Sequence, residues 1–279
     1  MEANKVRGEA KSIVLDDGTE LTYCELGAEH DEVVISGAFY FHTFMPVLEG
    51  LAKRYHVYGV VMRGTGDTTE RMDDGTVNWD RQWGKDVYDF ACKMGIGRFH
   101  YVGKCHGTNP GWYLVKEHPE MLIDFCSFYM APHLLPRNSN QWMDTVRSEG
   151  TSALMAKAMR HQERIPLKVA EIQALGPEGA KSLPPETQTQ ADSPEKIWDS
   201  LDDCRKTLAN CPVPVLYLFG TEDIVFQDHF DATIEAMKVT KGARTVFLQG
   251  ERHLLEMDCP QRMVDEAFFF IDETAKRMG

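Results

Sequence analysis

The sequence predicts an α/β protein, a mostly parallel central sheet with helices on both faces and an inserted helical piece, and three observations predict it. Six short apolar runs are separated by stretches of helix length. An alternating apolar and polar segment precedes them. The regular succession then breaks once, between about Pro132 and Ala209.

The segment from Ser12 to Glu25 alternates around Asp16-Asp17-Gly18, a turn signal, and reads as an antiparallel hairpin at a sheet edge. The runs Val33–Ile35, Val57–Val61, His100–Val102, Phe125–Tyr129, Val215–Phe219 and Thr245–Leu248 fit strands covered on both faces. Helical spacing marks Phe44 to Tyr55, Trp79 to Met94, Trp112 to Glu117 and Cys259 to Met278. Residues 132–209 are rich in helix formers and contain a Pro, Gln, Thr and Ser-rich stretch, Lys181 to Lys196, expected as a loop. The expected division is therefore a core of residues 1–131 and 210–279 with a helical cap, 132–209, over the carboxyl edge of the sheet, where open α/β sheets bind ligands. Most of its apolar residues, among them Trp142, Met143, Met155, Met159, Ile172 and Trp198, are expected to pack the cap onto the body, and a few to line a pocket.

The chain of 279 residues, 43% hydrophobic and 26% charged, is long enough for one sizeable core and ordinary in composition. Its formal charge of -13 argues against nucleic acid as a partner, because such affinity comes from clustered Lys and Arg on phosphates. The segment Met1 to Ala10 lacks the pattern of a secretory signal and no window is apolar enough to span a bilayer, so a cytoplasmic protein without membrane contact is expected. A homodimer is compatible with this composition. Seven cysteines with no C-x-x-C pair suggest neither disulfides nor a metal site, and no phosphate-cradling glycine loop calls for a cofactor. Six of the cysteines are expected to be mostly small buried hydrophobes.

Cys105 differs. His100-Tyr101-Val102-Gly103-Lys104-Cys105-His106-Gly107 is a buried strand running into G-x-C-x-G at the end of the third parallel strand, with a helix expected after it. Small residues two positions either side let the chain bend sharply and push the central side chain into the open.

With this elbow on the page, the chain resembles the α/β-hydrolase superfamily over nearly its whole length outside the cap. Ile35-Ser36-Gly37-Ala38 resembles the family's H-G-x turn, Val61–Thr68 its D-x-R-G-x-G-x-S segment, Leu218–Val225 the strand end that supplies the acid, and Gln249–His253 the turn that carries the base. The resemblance implies Cys105 as nucleophile, His253 as base and Asp223 as the residue orienting it, with the backbone N–H groups of Ala38 and His106 as an oxyanion hole. Phe39 and Tyr40, after the oxyanion turn, and Trp142 and Met143, in the cap, are candidates for the substrate pocket. His42, His106 and His133 are expected to fill structural roles. The family pattern is broken at Ser36, Thr108, Pro110 and Arg252. For Arg252 a surface ion pair is expected, with contact to an anionic substrate as the alternative, and Lys104 is expected to point away from the site.

A thiol has a free pKa of about 8.5 and is activated by an imidazolium or a helix amino terminus. It is also a better leaving group than an amide nitrogen, which favours esters, lactones and thioesters of small, mostly apolar molecules over peptides. The expected activity is a thiol-dependent hydrolase working through a thioester acyl-enzyme. Acyl transfer by the same triad, carbon–carbon bond hydrolysis, and ligand binding without catalysis stand as alternatives.

Overall fold

The computed structural model describes residues 11–38, 41–63, 79–132, 148–149, 151–160, 197–228 and 230–278. In chain order the elements are β1 (Lys11–Val14), β2 (Glu20–Leu26), β3 (Val33–Ala38), α1 (Phe41–Leu51), β4 (His56–Val61), α2 (Trp79–Lys93), β5 (Phe99–Lys104) and α3 (Asn109–Glu117). They continue as β6 (Leu122–Phe128), α4 (Thr151–Ala158), α5 (Leu201–Ala209), β7 (Val215–Gly220), α6 (Ile224–Asp228), α7 (Phe230–Val239), β8 (Arg244–Leu248), α8 (Leu255–Asp258) and α9 (Pro260–Met278).

The strands form one eight-stranded sheet in the order β1-β2-β4-β3-β5-β6-β7-β8. β1 and β2 pair antiparallel through a turn in which Gly18 takes φ 87°, and β2 meets β4 antiparallel. From β4 onward all pairings are parallel. The sheet is buried on both faces because successive strand residues serve different cores. Val215, Tyr217 and Phe219 join a cluster with α2, α3, α5 and α7, whereas Leu216 and Leu218 join one with α1, α8 and α9.

Every apolar run lies in a strand and every helical pattern in a helix, with shifted ends. The expected helix Phe44 to Tyr55 is Phe41–Leu51, and the strand expected to reach Tyr129 stops at Phe128, because Tyr129 turns to φ 58°. Helices α6, α7 and α8 fall outside the expected helical segments.

Of the expected insertion, residues 132, 148–149, 151–160 and 197–209 are described. Trp198, 4% exposed, sinks into the cluster shared with α2 and α3, while Asp199 pairs with Arg81 and Lys116 at the surface. Asp199 is 72% exposed, so those ion pairs contribute little and the buried indole is the anchor. Met159 is likewise buried. The expected loop Lys181 to Lys196 and residues Trp142, Met143 and Ile172 lie outside the described residues, and so does the side chain of Met155.

Arg63, from the segment resembling the family's D-x-R-G-x-G-x-S pattern, is a structural tie. Its Nε and Nη2 donate to the Asp86 carboxylate at 3.0 and 2.7 Å, Nη2 also reaches Asp17 at 2.7 Å, and its carbonyl accepts from Trp83 Nε1. No helix among the described residues is long and apolar enough to cross a membrane. Cys24, Cys126, Cys204 and Cys211 are buried as expected, but Cys92 is exposed and Cys259 half-buried.

Candidate active site

β5 ends at Lys104 in extended backbone, and Cys105 turns abruptly to φ 52°, a left-handed conformation that strains any residue with a Cβ. A single 3-10 turn, Cys105–Thr108, leads into α3, with Pro110 tolerated in its first turn. Both glycines of the elbow are required by close approach. A Cβ at Gly103 would strike the Gly107 carbonyl, and one at Gly107 would strike the carbonyl of Gly37 in β3. The buried Tyr101 hydroxyl fixes this junction, donating to the Gly107 carbonyl at 2.8 Å while accepting the Gly37 N–H at 3.1 Å. Thr108, where the family usually has a smaller residue, is fully buried and its hydroxyl donates to the Cys105 carbonyl at 2.8 Å.

Two further strand ends bring up the carboxylate and the imidazole. The loops after β7 and β8 are laced together: Thr221 N–H donates to Leu248 O at 3.0 Å, Glu222 N–H to Glu251 O at 2.9 Å, and Gly250 N–H to Thr221 Oγ1 at 2.8 Å. This lacing sets Asp223, completely buried, 2.9 Å through Oδ1 from His253 Nδ1. With Nδ1–H donated to the carboxylate, the remaining ring nitrogen is left for Cys105, and the imidazole and the thiol each shift the other's titration.

The electrostatics pull these two groups toward opposite charges. Burial and the Lys104 ammonium disfavour the imidazolium, but the Asp223 carboxylate and the Cys105 hydrogen bond outweigh them and raise His253 to about 9. Burial raises the Cys105 thiol, yet the His253 hydrogen bond and charge, Lys104 and the His106 N–H together bring it below the ordinary thiol value.

Arg252 is spent locally. Its guanidinium donates to the carbonyls of Ala156 and Met159 at 2.9 and 3.0 Å and pairs with Glu222 at 3.4 Å, so the end of α4 is fastened to the His253 loop. Leu254 N–H to Ala158 O, and Arg160 to Glu251 and Asp258, complete the fastening.

Lys104, expected to point away from the site, lies near enough for its charge to act on both Cys105 and His253. Its side chain is 10% exposed, and Nζ lies 2.9 Å from Oε1 of Glu256, itself 4% exposed, on α8. The ammonium also sits 5.9 Å from the centre of the Tyr129 ring, whose edge meets the His253 ring at 5.6 Å. Neither Glu256 nor Tyr129 carried a sequence signal for this role.

Solved structures of known proteins superpose on nearly the whole chain. A serine hydrolase from Cycloclasticus zankles is 17% identical with a TM-score of 0.76, covering 95% of this chain and 98% of its own. A meta-cleavage product hydrolase from Pseudomonas fluorescens is 16% identical at 0.74, covering 94% and 97%. An enol-lactonase from Burkholderia xenovorans is 20% identical at 0.70, covering 94% and 100%. The chain has the α/β-hydrolase fold. No family model matches the sequence, and no curated protein matches it.

In this α/β-hydrolase fold, Cys105, Asp223 and His253 follow three parallel strands, β5, β7 and β8, and meet at one edge of the sheet. Ala38 ends β3 beside the elbow, and the His106 N–H already bonds the Cys105 sulfur. The pocket candidates Phe39, Tyr40, Trp142 and Met143 lie outside the described residues, as do His133 and the side chain of His42. Among the described residues no group of three or more His, Cys, Asp or Glu side chains could hold a metal ion.

Proposed function

We propose that this protein is a thiol-dependent hydrolase of small esters, lactones or thioesters, with Cys105 as nucleophile, His253 as proton carrier and Asp223 as its orienting carboxylate. The observation that carries the reading is the half-buried sulfur on a left-handed elbow, its titration lowered by a neighbouring imidazole that Asp223 holds at 2.9 Å. The lowered thiol and raised imidazole favour a resting thiolate and imidazolium.

The thiolate adds to the acyl carbon, and the backbone N–H groups of Ala38 and His106 receive the developing oxyanion. The bond to the leaving group breaks as His253 gives it a proton, leaving a thioester on Cys105. Neutral His253 then takes a proton from water, whose oxygen adds to the thioester carbon. The carbon–sulfur bond breaks, the acid departs, and thiolate and imidazolium are restored. Ester and lactone chemistry is supported by the thiolate's ease of departure from an amide adduct, which returns amides to starting material. The names of fold neighbours, an esterase from Rhodococcus and the enol-lactonase, agree with that class.

The test is intact-mass detection of an acyl adduct across a panel of aryl esters, lactones and thioesters, with Cys105→Ala as control. The expected result is a transient adduct on the unaltered protein and loss of both adduct and turnover in C105A, with the fold retained. Turnover persisting in C105A would overturn the assignment. Added amine or thiol acceptors separate hydrolysis from acyl transfer by product analysis.

A further inference from the structure

We propose that the buried Lys104–Glu256 ion pair is a positioning device that sets the protonation range of the Cys105–His253 couple and joins the nucleophile's strand to the imidazole's loop. The inference rests on the reading of Cys105 as nucleophile.

Lys104 is the last residue of β5 and the covalent neighbour of Cys105, and Glu256 lies three residues beyond His253 on α8. Their contact at 2.9 Å therefore bridges the two chain segments that carry the reacting pair, 152 positions apart. Both side chains are almost wholly removed from water. A buried ion pair is a poor device for stability alone, since apolar side chains of similar size hold a fold as well. Its place here gives it another use. The ammonium and the imidazole both lie against the Tyr129 ring, 5.9 and 5.6 Å from its centre, so the Lys104 charge acts on His253 through a low-dielectric aromatic neighbour. Tyr129 is held in a left-handed backbone conformation to stand there. The second oxygen of Glu256 and the Tyr129 hydroxyl are buried without a hydrogen-bond partner among the described residues, so Lys104 is the cation that compensates this carboxylate.

The other titratable groups packed around the couple are Asp223 after β7, Glu251 after β8, held by Arg160, and Asp258 on α8, which accepts the Arg160 N–H. None of these is changed by altering the pair. A positive charge near both sulfur and imidazole disfavours the protonated form of each. Removing it must move both titrations to higher pH together, and removing the negative partner must move both to lower pH. A purely structural role predicts something different: a loosened sulfur–imidazole contact raises the thiol titration and lowers the imidazole one, so the two approach each other.

The experiment measures the rate of Cys105 alkylation by iodoacetamide against pH, read by intact mass, and the His253 imidazole resonance against pH, in the unaltered protein, Lys104→Met and Glu256→Gln. Expected shifts are on the order of one pH unit, upward for both groups in K104M and downward for both in E256Q, which is about tenfold in alkylation rate at fixed pH below the midpoint. Unmoved midpoints, or midpoints that converge, overturn the proposal. If K104M does not fold, E256Q carries the same test, with Lys104→Arg expected to leave both midpoints in place. The nucleophile assignment fails separately: an ordinary thiol midpoint for Cys105 in the unaltered protein removes that reading, whereas a depressed midpoint with unresponsive variants removes only this one.

Discussion

Cys105 and His253 share one mobile proton beside the Asp223 carboxylate, and where that proton sits makes the pH dependence of the proposed activity predictable. Below the depressed thiol titration the sulfur is protonated and cannot attack. Above about 9 the imidazole has lost the proton that the leaving group needs. The rate should rise with pH through a midpoint below that of a free thiol and fall near 9. In Asp223→Asn the two influences that raise His253 are weakened while burial and Lys104 still lower it, so the alkaline limb should move down in pH. Turnover should fall by a factor on the order of 10⁴, as expected when an orienting carboxylate is lost and the imidazole adopts the wrong tautomer. Rate against pH for both proteins checks this, and an unmoved alkaline limb would remove Asp223 from its role. These three residues were legible in sequence because each sits on a short motif following a strand. Lys104–Glu256 was not, because its two halves are distant in the chain and only the folded sheet joins them.

Elements set where those residues stand, and the least expected tie is between α4 and the loop after β8. Arg252 in that loop donates twice to carbonyls at the end of α4, groups that a helix leaves unsatisfied. It is 30% exposed, so its ion pair with Glu222 contributes little and the carbonyl bonds matter more. Arg252→Ala should therefore free α4 locally. Amide exchange across residues 151–160 should rise, with overall stability lowered by only about 1 kcal/mol. Mass-detected hydrogen exchange with urea unfolding separates the two effects, and unchanged exchange in 151–160 would show that Arg160 and Leu254 suffice. Sequence periodicity located the core strands and four helices because both sheet faces are buried and their apolar patterns are strong. It missed α6, α7 and α8, which are short or rich in Ile, Thr and Val and so carry a weak helical signal. It placed strand β6 one residue too far, because nothing in Phe128-Tyr129 announces the left-handed turn.

At the scale of the whole molecule, the proposed site belongs to no single segment. β3, β5, β7 and β8 supply its parts, and they become neighbours only when the sheet is complete. The lowered titration of the Cys105 thiol is thus a property of the global fold. Its environment lowers the thiol, whereas burial raises Cys24 to about 11 and pushes Cys126 and Cys211 up as well. Unfolding erases this order, because in an open chain all thiols approach one value of about 8.5 and equal access. In iodoacetamide at neutral pH the folded protein should be labelled first at Cys105, with exposed Cys92 following. As urea is raised, the Cys105 rate should fall while those of Cys24, Cys126, Cys204 and Cys211 rise, all with the midpoint seen by tryptophan fluorescence. Peptide mass mapping across the transition measures every site at once. A Cys105 rate that collapses well before that midpoint would mean that the imidazole loop detaches before the sheet opens, and the site would then be a separately melting part of the molecule.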